Sequence, residues 1–297
     1  MDLHQLRVFQ AAVKTGGFTR ASEHLCLSQS TVSQHIKQLE QELGCPLFLR
    51  AGKRVMVSEA GSLLLQHADK ILRDLNNAEM SVRELGATQR GTVRLGAGAT
   101  TLTYRLPQVL ASYNRRFPEI ELVVLSGTTE FLLNAVRTQS VDLAVVMSQE
   151  KQPGVTLTPL GPEELTVVVN GEHPLARKRL LQPQDLTGLR FILYEKRTAM
   201  QALIDNFFKE LQIEPRVIME MENIEVIKSL VRSGLGASIL PVCAVDGPPR
   251  DSQLRTLRVK GARLTRQLSL AAIESGILPG SICELRSALL SHLGAEK

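Results

Sequence analysis

From Ser28 to Leu43 the chain runs SQSTVSQHIKQLEQEL, and the two sides of that stretch differ in chemistry. Val32, Ile36, Leu39 and Leu43 recur at steps of four, three and four, the spacing of one helix face. The opposite side gathers Gln29, Ser30, Thr31, Ser33, Gln34, His35 and Lys37 near the N-terminal end. These are short donors and acceptors with one cation. They suit base edges in a DNA major groove, since Gln can pair two ways with adenine and Thr can touch the thymine methyl. An ordinary solvated face would carry similar residues, so the neighbouring elements must decide.

Those neighbours form a frame. Ser28 can cap the first turn of the polar helix. Just upstream, Phe18, Ala21 and Leu25 predict a shorter helix that shares its core. In a helix-turn-helix, the start of the second helix does the reading. Gly44 and Pro46 end that helix. Leu49–Arg50 and Arg54–Val57 then predict two short strands around Ala51, Gly52 and Lys53, forming a wing. Arg50, Lys53 and Arg54 are spaced to meet phosphates beside the groove. Ahead of all this, Leu3, Leu6, Phe9, Ala12 and Val13 make an amphipathic helix that covers the core.

The next long element is a helix from Glu59 to about Thr88, which has no proline and no glycine between Gly61 and Gly86. Leu64, Ala68, Ile71, Leu75, Ala78, Val82 and Leu85 alternate steps of four and three along it. That heptad seam predicts pairing with a second copy, with packing on the chain's own domain as the alternative. At ~1.5 Å per residue, such a helix spans roughly 45 Å.

Residues 1–61 resemble the winged helix-turn-helix of LysR-type transcriptional regulators, on LHQLRVFQAAVKTGGFTRASEHLCLSQSTVSQHIKQLEQELGCPLFLR and the continuation VMVSEAG. Ser58 stands where that family usually has Thr and keeps the hydroxyl. Thr31 stands where a small apolar residue is usual, so no operator sequence transfers. The resemblance implies a linker helix at 59–88, homodimers joined as a homotetramer, promoter DNA and a small-molecule effector as partners, and RNA polymerase as a further one.

Beyond Thr88-Gln89-Arg90-Gly91 the pattern changes. TVRLGAG, IELVVLSG and VDLAVVM read as strands. They alternate with one helix carrying Leu102, Leu106, Val109, Leu110, Tyr113 and Phe117, and another at TTEFLLNAVRTQ. Such alternation predicts parallel strands with right-handed crossovers. Further strands are expected at 165–170, 191–194, 215–221 and 268–273, and helices at 199–211, 223–233 and 279–293, with SGLGASILP as a turn. By resemblance this is a two-lobed, periplasmic-binding-protein-like sensor, with ENIEVIKSLVRSGLGASILP its best anchor. The expected fold is therefore an N-terminal all-α winged helix-turn-helix (1–58), a linker helix (59–88) and a two-lobed α/β sensor (92–297). Lobe I takes about 92–160 and 267–297, and lobe II about 161–266, so the crossings lie near 160 and 266.

Open α/β sheets bind ligands at the carboxyl ends of parallel strands. Thr100 and Thr101 follow the first such strand and enter a helix, where free amides favour an anion. Ser126, Gly127 and Thr128 follow the second strand, and Met147 ends the third. Across the crevice, Tyr194, Arg197 and Asn223 are expected to complete an anionic effector site. For the hydroxyls, helix capping is the competing use.

Other classes fit poorly. The +5 net charge and pI near 9.1 permit nucleic-acid binding. Residues 1–60 hold seven Lys/Arg against five Asp/Glu, so placement of the cations carries the case. GAGATT resembles a dinucleotide fingerprint, but Thr101 replaces its third glycine, and Ser126 and Gly127 replace the expected acid. No GxSxG elbow occurs, and neither the six His nor Cys26, Cys45, Cys243 and Cys283 have metal-ligand spacing. No enzyme activity, metal or cofactor is expected. Residues 1–20 lack the apolar core of a signal peptide, and no apolar run is long enough to span a membrane. The expected compartment is the cytoplasm, with reduced thiols. A solute-binding protein would share the sensor but not the winged helix-turn-helix, and a scaffold would fail a DNA-binding assay.

Overall fold

The computed structural model describes residues 1–297 except 52–53, 86–89, 149, 197, 248–250, 275–277 and 295–297, and the side chains of 50–51, 54–55 and 83–85. Helices α1 (Leu3–Lys14), α2 (Phe18–Leu25) and α3 (Gln29–Leu43) come first. Val8, Phe9, Ala21, Val32, Ile36 and Leu39 meet in one buried core. Asp2 caps α1, and Ser28 caps α3 by accepting from the Thr31 amide at 3.1 Å. α3 ends on Gly44 at φ +69°, a left-handed turn that favours glycine. Strands β1 (Phe48–Ala51) and β2 (Arg54–Val57) pair antiparallel as the wing. Phe48 stands edge-on to both Phe9 and Phe18, which fixes the wing to the helical core.

The linker helix α4 (Glu59–Leu85) starts hard against the wing. Ser58 caps it by accepting from the Gly61 amide at 2.9 Å, and donates to the Pro46 carbonyl at 2.7 Å. A Cβ on Gly61 would lie 2.3 Å from the Leu47 carbonyl oxygen, so that close approach requires glycine.

The sensor is a mixed α/β structure. β3 (Gly91–Ala97) runs parallel to β4 (Ile120–Ser126) on one side and β5 (Leu143–Val146) on the other, as the alternation predicts. The helix expected across Leu102 to Phe117 is instead two, α5 (Ala99–Tyr104) and α6 (Pro107–Arg116). Pro107 lacks the amide needed to continue α5 and takes the first position of α6. α7 (Thr129–Arg137) closes the unit.

β6 (Val155–Asn170) is a single strand of 16 residues, which extends the strand expected at 165–170 back to Val155. It pairs antiparallel with β11 (Leu264–Ile273) along its first part. Both strands pass between two hydrophobic cores. Val155 and Leu160 lie with the first lobe, and Leu165 to Val169 with the second. The sheet order is β10-β6-β11-β5-β3-β4, with β9 also on β6. β9 (Ser238–Pro241) occupies the segment expected to be a turn, and β10 (Leu254–Leu257) was not expected. Both pair antiparallel with β6, so parallel pairing covers only part of the sensor. A separate parallel pair, β7 (Arg190–Tyr194) and β8 (Arg216–Met221), packs with α8 (Ala199–Glu210) and α9 (Ile224–Arg232). α10 (Gly280–Gly294) returns to the first lobe, burying Ile282, Leu285 and Leu289.

Candidate functional site

On α3, Gln29, Ser30, Gln34 and Lys37 are exposed, and Thr31 and Ser33 half-buried. Ser30, Gln34 and Lys37 follow at four and three residues, so they share one face away from Val32, Ile36 and Leu39. The Thr31 hydroxyl lies 2.7 Å from the Ser28 hydroxyl, inside the helix cap. His35 is half-buried and stands edge-on to His4 of α1, with ring centroids 4.8 Å apart and Nδ1 buried without a partner among the described residues. The structure thus turns His35 toward α1, unlike Gln34. One carboxylate that the sequence did not single out holds the arrangement together. Glu40 on α3 accepts from the Leu47 and Phe48 amides at 2.8 and 3.2 Å, tying the wing to the polar helix. In the wing, Lys53 lies outside the described residues, as do the side chains of Arg50 and Arg54.

The linker seam divides. Ala68 is fully buried and Leu64 packs beside it in the N-terminal core. Ala68 is therefore withdrawn from any partner, because α1 packs on that face of α4 within the same chain. Ile71 and Val82 are 40% and 68% exposed, Ala78 is exposed and Leu75 half-buried. The Leu85 side chain lies outside the described residues.

Between the sensor lobes lies a cavity of about 950 Å³. Thr100, Thr101, Gly127, Thr128, Met147 and Tyr194 line it. Ser126 and Asn223 do not. Ser126 is exposed at the end of β4, and Asn223 caps α9 by accepting from the Glu225 amide at 2.8 Å. Arg197 lies outside the described residues. Thr128 caps α7, accepting from the Phe131 amide at 3.3 Å, so part of its hydroxyl capacity is used. α5 is only six residues long, so its dipole is a weaker anion trap than one long helix would have been.

Arg266, a cation that the sequence did not single out, also lines the cavity. It is 7% exposed and ion-paired with Glu163, directly opposite it where β6 and β11 cross. Glu163 further meets Arg105 at 3.6 Å and accepts from the Cys243 thiol at 3.2 Å. Burial pushes that thiol up to about 12, with the Glu163 charge adding to the effect. The Tyr194 hydroxyl is buried with no hydrogen-bond partner among the described residues, and burial raises it above its ordinary value. It remains a neutral donor facing the cavity region beside Arg266. A lone Arg inside the apolar strand LTRQLSLAAI, matched by Glu163 at the other crossing, was the available signal for this pair.

Residues 3–62 match the family model described as a bacterial regulatory helix-turn-helix protein of the lysR family, and residues 86–293 match the LysR substrate binding domain. The chain belongs to the LysR family of transcriptional regulators. Among curated relatives, a probable RuBisCO transcriptional regulator of Cyanophora paradoxa is 33% identical over 91% of this chain and 85% of its own length. One from Synechocystis sp. is 31% identical over 90% and 79%. Among solved structures, a full-length OxyR from Pseudomonas aeruginosa superposes with a TM-score of 0.75 at 24% identity, covering 99% of this chain and 98% of its own. Full-length CbnR complexed with target DNA gives 0.72 at 20% identity, covering 97% and 99%. This LysR-family regulator therefore binds DNA sequence-specifically and carries an effector-binding domain; its family consists of regulators, not enzymes. Among the described residues no helix is long and apolar enough to cross a membrane.

Proposed function

We propose that a small anionic or carbonyl-rich effector binds the cavity between the lobes, held by Tyr194 and Arg266 on one side and by Thr100, Thr101 and Thr128 on the other. The observation that carries this reading is the buried Tyr194 hydroxyl, unpartnered among the described residues, beside a buried guanidinium at the edge of a cavity of about 950 Å³. A buried donor left unmade costs about 1–3 kcal/mol, so a ligand oxygen there gains that much by satisfying it. Arg266 shares the Glu163 carboxylate with Arg105, so the cluster keeps a positive excess that favours an acceptor that is also an anion. Two acids at the mouth, Glu130 and Glu150, set against Arg137 disfavour ligands with several negative charges.

The regulator acts in the cytoplasm as a homodimer, paired further into a homotetramer, through the exposed stripe of Ile71, Ala78 and Val82. Ser30, Gln34 and Lys37 approach the bases, and Arg50, Lys53 and Arg54 clamp phosphates. RNA polymerase is the partner at the promoter. The division into 1–58, 59–88 and 92–297 is supported by separate buried cores on either side of the linker.

A thermal-shift screen of small carboxylates and phosphates against the full chain tests the effector site. A true effector stabilises the wild type and does so at least tenfold more weakly by concentration in Tyr194→Phe. Equal titration midpoints in the two proteins sink the assignment. Genome-wide mapping of bound DNA identifies the promoters, and reads whether a RuBisCO gene is among them.

A further inference from the structure

Tyr104 is the last residue of α5, in the first lobe, yet its ring packs against the hydrophobic core of the second. There it meets α9. The Lys228 ammonium sits 4.9 Å from the Tyr104 ring centroid and 3.4 Å from its hydroxyl. Glu225, one turn earlier, accepts from Lys228 at 3.1 Å and from the Tyr104 hydroxyl. Lys228 is only 7% exposed, which is unusual for lysine. A buried ammonium persists only where partners replace water, and here the Tyr104 ring and hydroxyl, supplied by the opposite lobe, are two of the three.

The other end of α5 carries Thr100 and Thr101, which line the cavity between the lobes. Three residues of helix separate Thr101 from Tyr104, a rise of roughly 4.5 Å. A single turn of helix has no internal joint, so displacement at the cavity end displaces Tyr104 too. The first lobe is also fixed to the linker. Arg73 of α4 donates to the Thr138 carbonyl at 2.8 Å, and Met80 is buried in the first lobe's core. Among the contacts described the second lobe has no such tie to the linker and meets it only through the first lobe.

We propose that Tyr104, Glu225 and Lys228 form a latch that holds the two lobes together and sets the closed population before any effector arrives. The inference rests on the cavity being the effector site, and gives the means by which that site is regulated. Effector bound at Thr100 and Thr101 strengthens or strains the latch through α5. The apparent affinity for effector scales with the latched fraction, because a ligand that needs both lobes binds only molecules in which they meet.

The test is hydrogen–deuterium exchange of the full chain without ligand, in wild type, Lys228→Met, Tyr104→Leu and Tyr104→Phe. A desolvated cation–π contact changes an equilibrium by about tenfold or more. Lys228→Met and Tyr104→Leu are expected to speed amide exchange in 100–106 and 147–148 by about tenfold, with Tyr104→Phe intermediate. Exchange in β7 and β9 stays at the wild-type rate. Unchanged protection of 100–106 in Tyr104→Leu overturns the latch. Faster exchange throughout β7 and β9 also overturns it, since the residues would then serve only the second lobe's own stability. Should Lys228→Met fail to fold, the two Tyr104 variants decide alone. No ligand enters the measurement, so its failure leaves the effector site standing, and a failed ligand screen leaves the latch standing.

Discussion

Replacing Glu163 by Gln keeps the shape of the side chain and removes one charge. In the native chain that carboxylate is 4% exposed and serves Arg266, Arg105 and the Cys243 thiol together. Its loss leaves the buried Arg266 guanidinium without the anion opposite it. Breaking a buried pair from one side costs about 3–5 kcal/mol, since the remaining charge is desolvated and uncompensated. For a unit of 150–250 residues, each kcal/mol moves the melting temperature by roughly 2–4 °C, so the sensor transition should fall by roughly 6–20 °C. Differential scanning calorimetry of the full chain measures it. The double variant Glu163→Gln/Arg266→Met should recover much of the loss, because a neutral replacement of a buried pair is often nearly neutral. The transition assigned to residues 1–85 should not move. If Glu163→Gln melts within a degree of wild type, the two crossing strands are not held by this ion pair, and the electrostatic account of the cavity wall is wrong.

Gln34→Ala should lose about 1–3 kcal/mol at the cognate site and almost nothing on random duplex, whereas His35→Ala should keep its base discrimination. Titrations of both duplexes at one salt concentration check this, and equal losses on both would remove Gln34 from base reading. Val82→Glu should split the oligomer in sedimentation velocity while leaving α1–α3 folded; Ala68→Asp should instead unfold the N-terminal core, by placing a charge where nothing is exposed. At pH 8 the exposed Cys26 and Cys283 should be alkylated quickly and Cys243 hardly at all, its thiolate being about one part in ten thousand. Because burial raises the folded value of Cys243 to about 12 against 9.0 unfolded, its contribution to stability is complete below pH 9 and declines as pH climbs toward 12. Iodoacetamide labelling read by mass spectrometry settles the first part, and a melting curve with pH the second.

What could be read before the structure followed the strength of the local signal. The helices of the N-terminal part have strict apolar spacing, and α3 adds a serine cap and a glycine stop, so α1–α3 and the wing were legible nearly to the residue. The break between α5 and α6 was signalled by Pro107, but the apolar spacing runs straight through it and hid the break. β9 and β10 escaped because each has only four residues, too few to establish a period of two. The cavity's strand-end hydroxyls were legible because parallel strands deliver their loops to one edge. Arg266 was not, since it lies in mid-strand and points into the cavity only because β6 and β11 cross between the lobes. Asn223 was read as facing ligand when the commoner use, capping a helix, is the one the structure shows. The packing of His35 against α1 was likewise not legible. Spacing alone put it on the polar side, while its neighbour His4 on α1 could be known only from the packing.

These placements bear on how a small molecule in the sensor reaches DNA at the other end of the chain. α4 is committed at both ends within one chain. Its first turns bury Ala68 and pack Leu64 on the N-terminal core, and its later turns lay Arg73 and Met80 against the first lobe. Partial burial holds the Arg73 guanidinium below the usual range, and the nearby Asp142 carboxyl is raised by its own burial. The first lobe, the linker and the reading head are thus joined by packed contacts rather than by a loose tether. A change between lobes cannot pass to the DNA by bending the linker at Arg73 without stripping these contacts. It passes more cheaply by moving the second lobe against whatever lies beside it in the oligomer, which changes the angle between two rigid linker–head units. The free energy available for that movement is bounded by the effector's differential affinity for the two lobe arrangements. A latch that already favours closure leaves that differential unchanged but starts the equilibrium nearer the closed side, and so tunes how large a change in population the same ligand can produce.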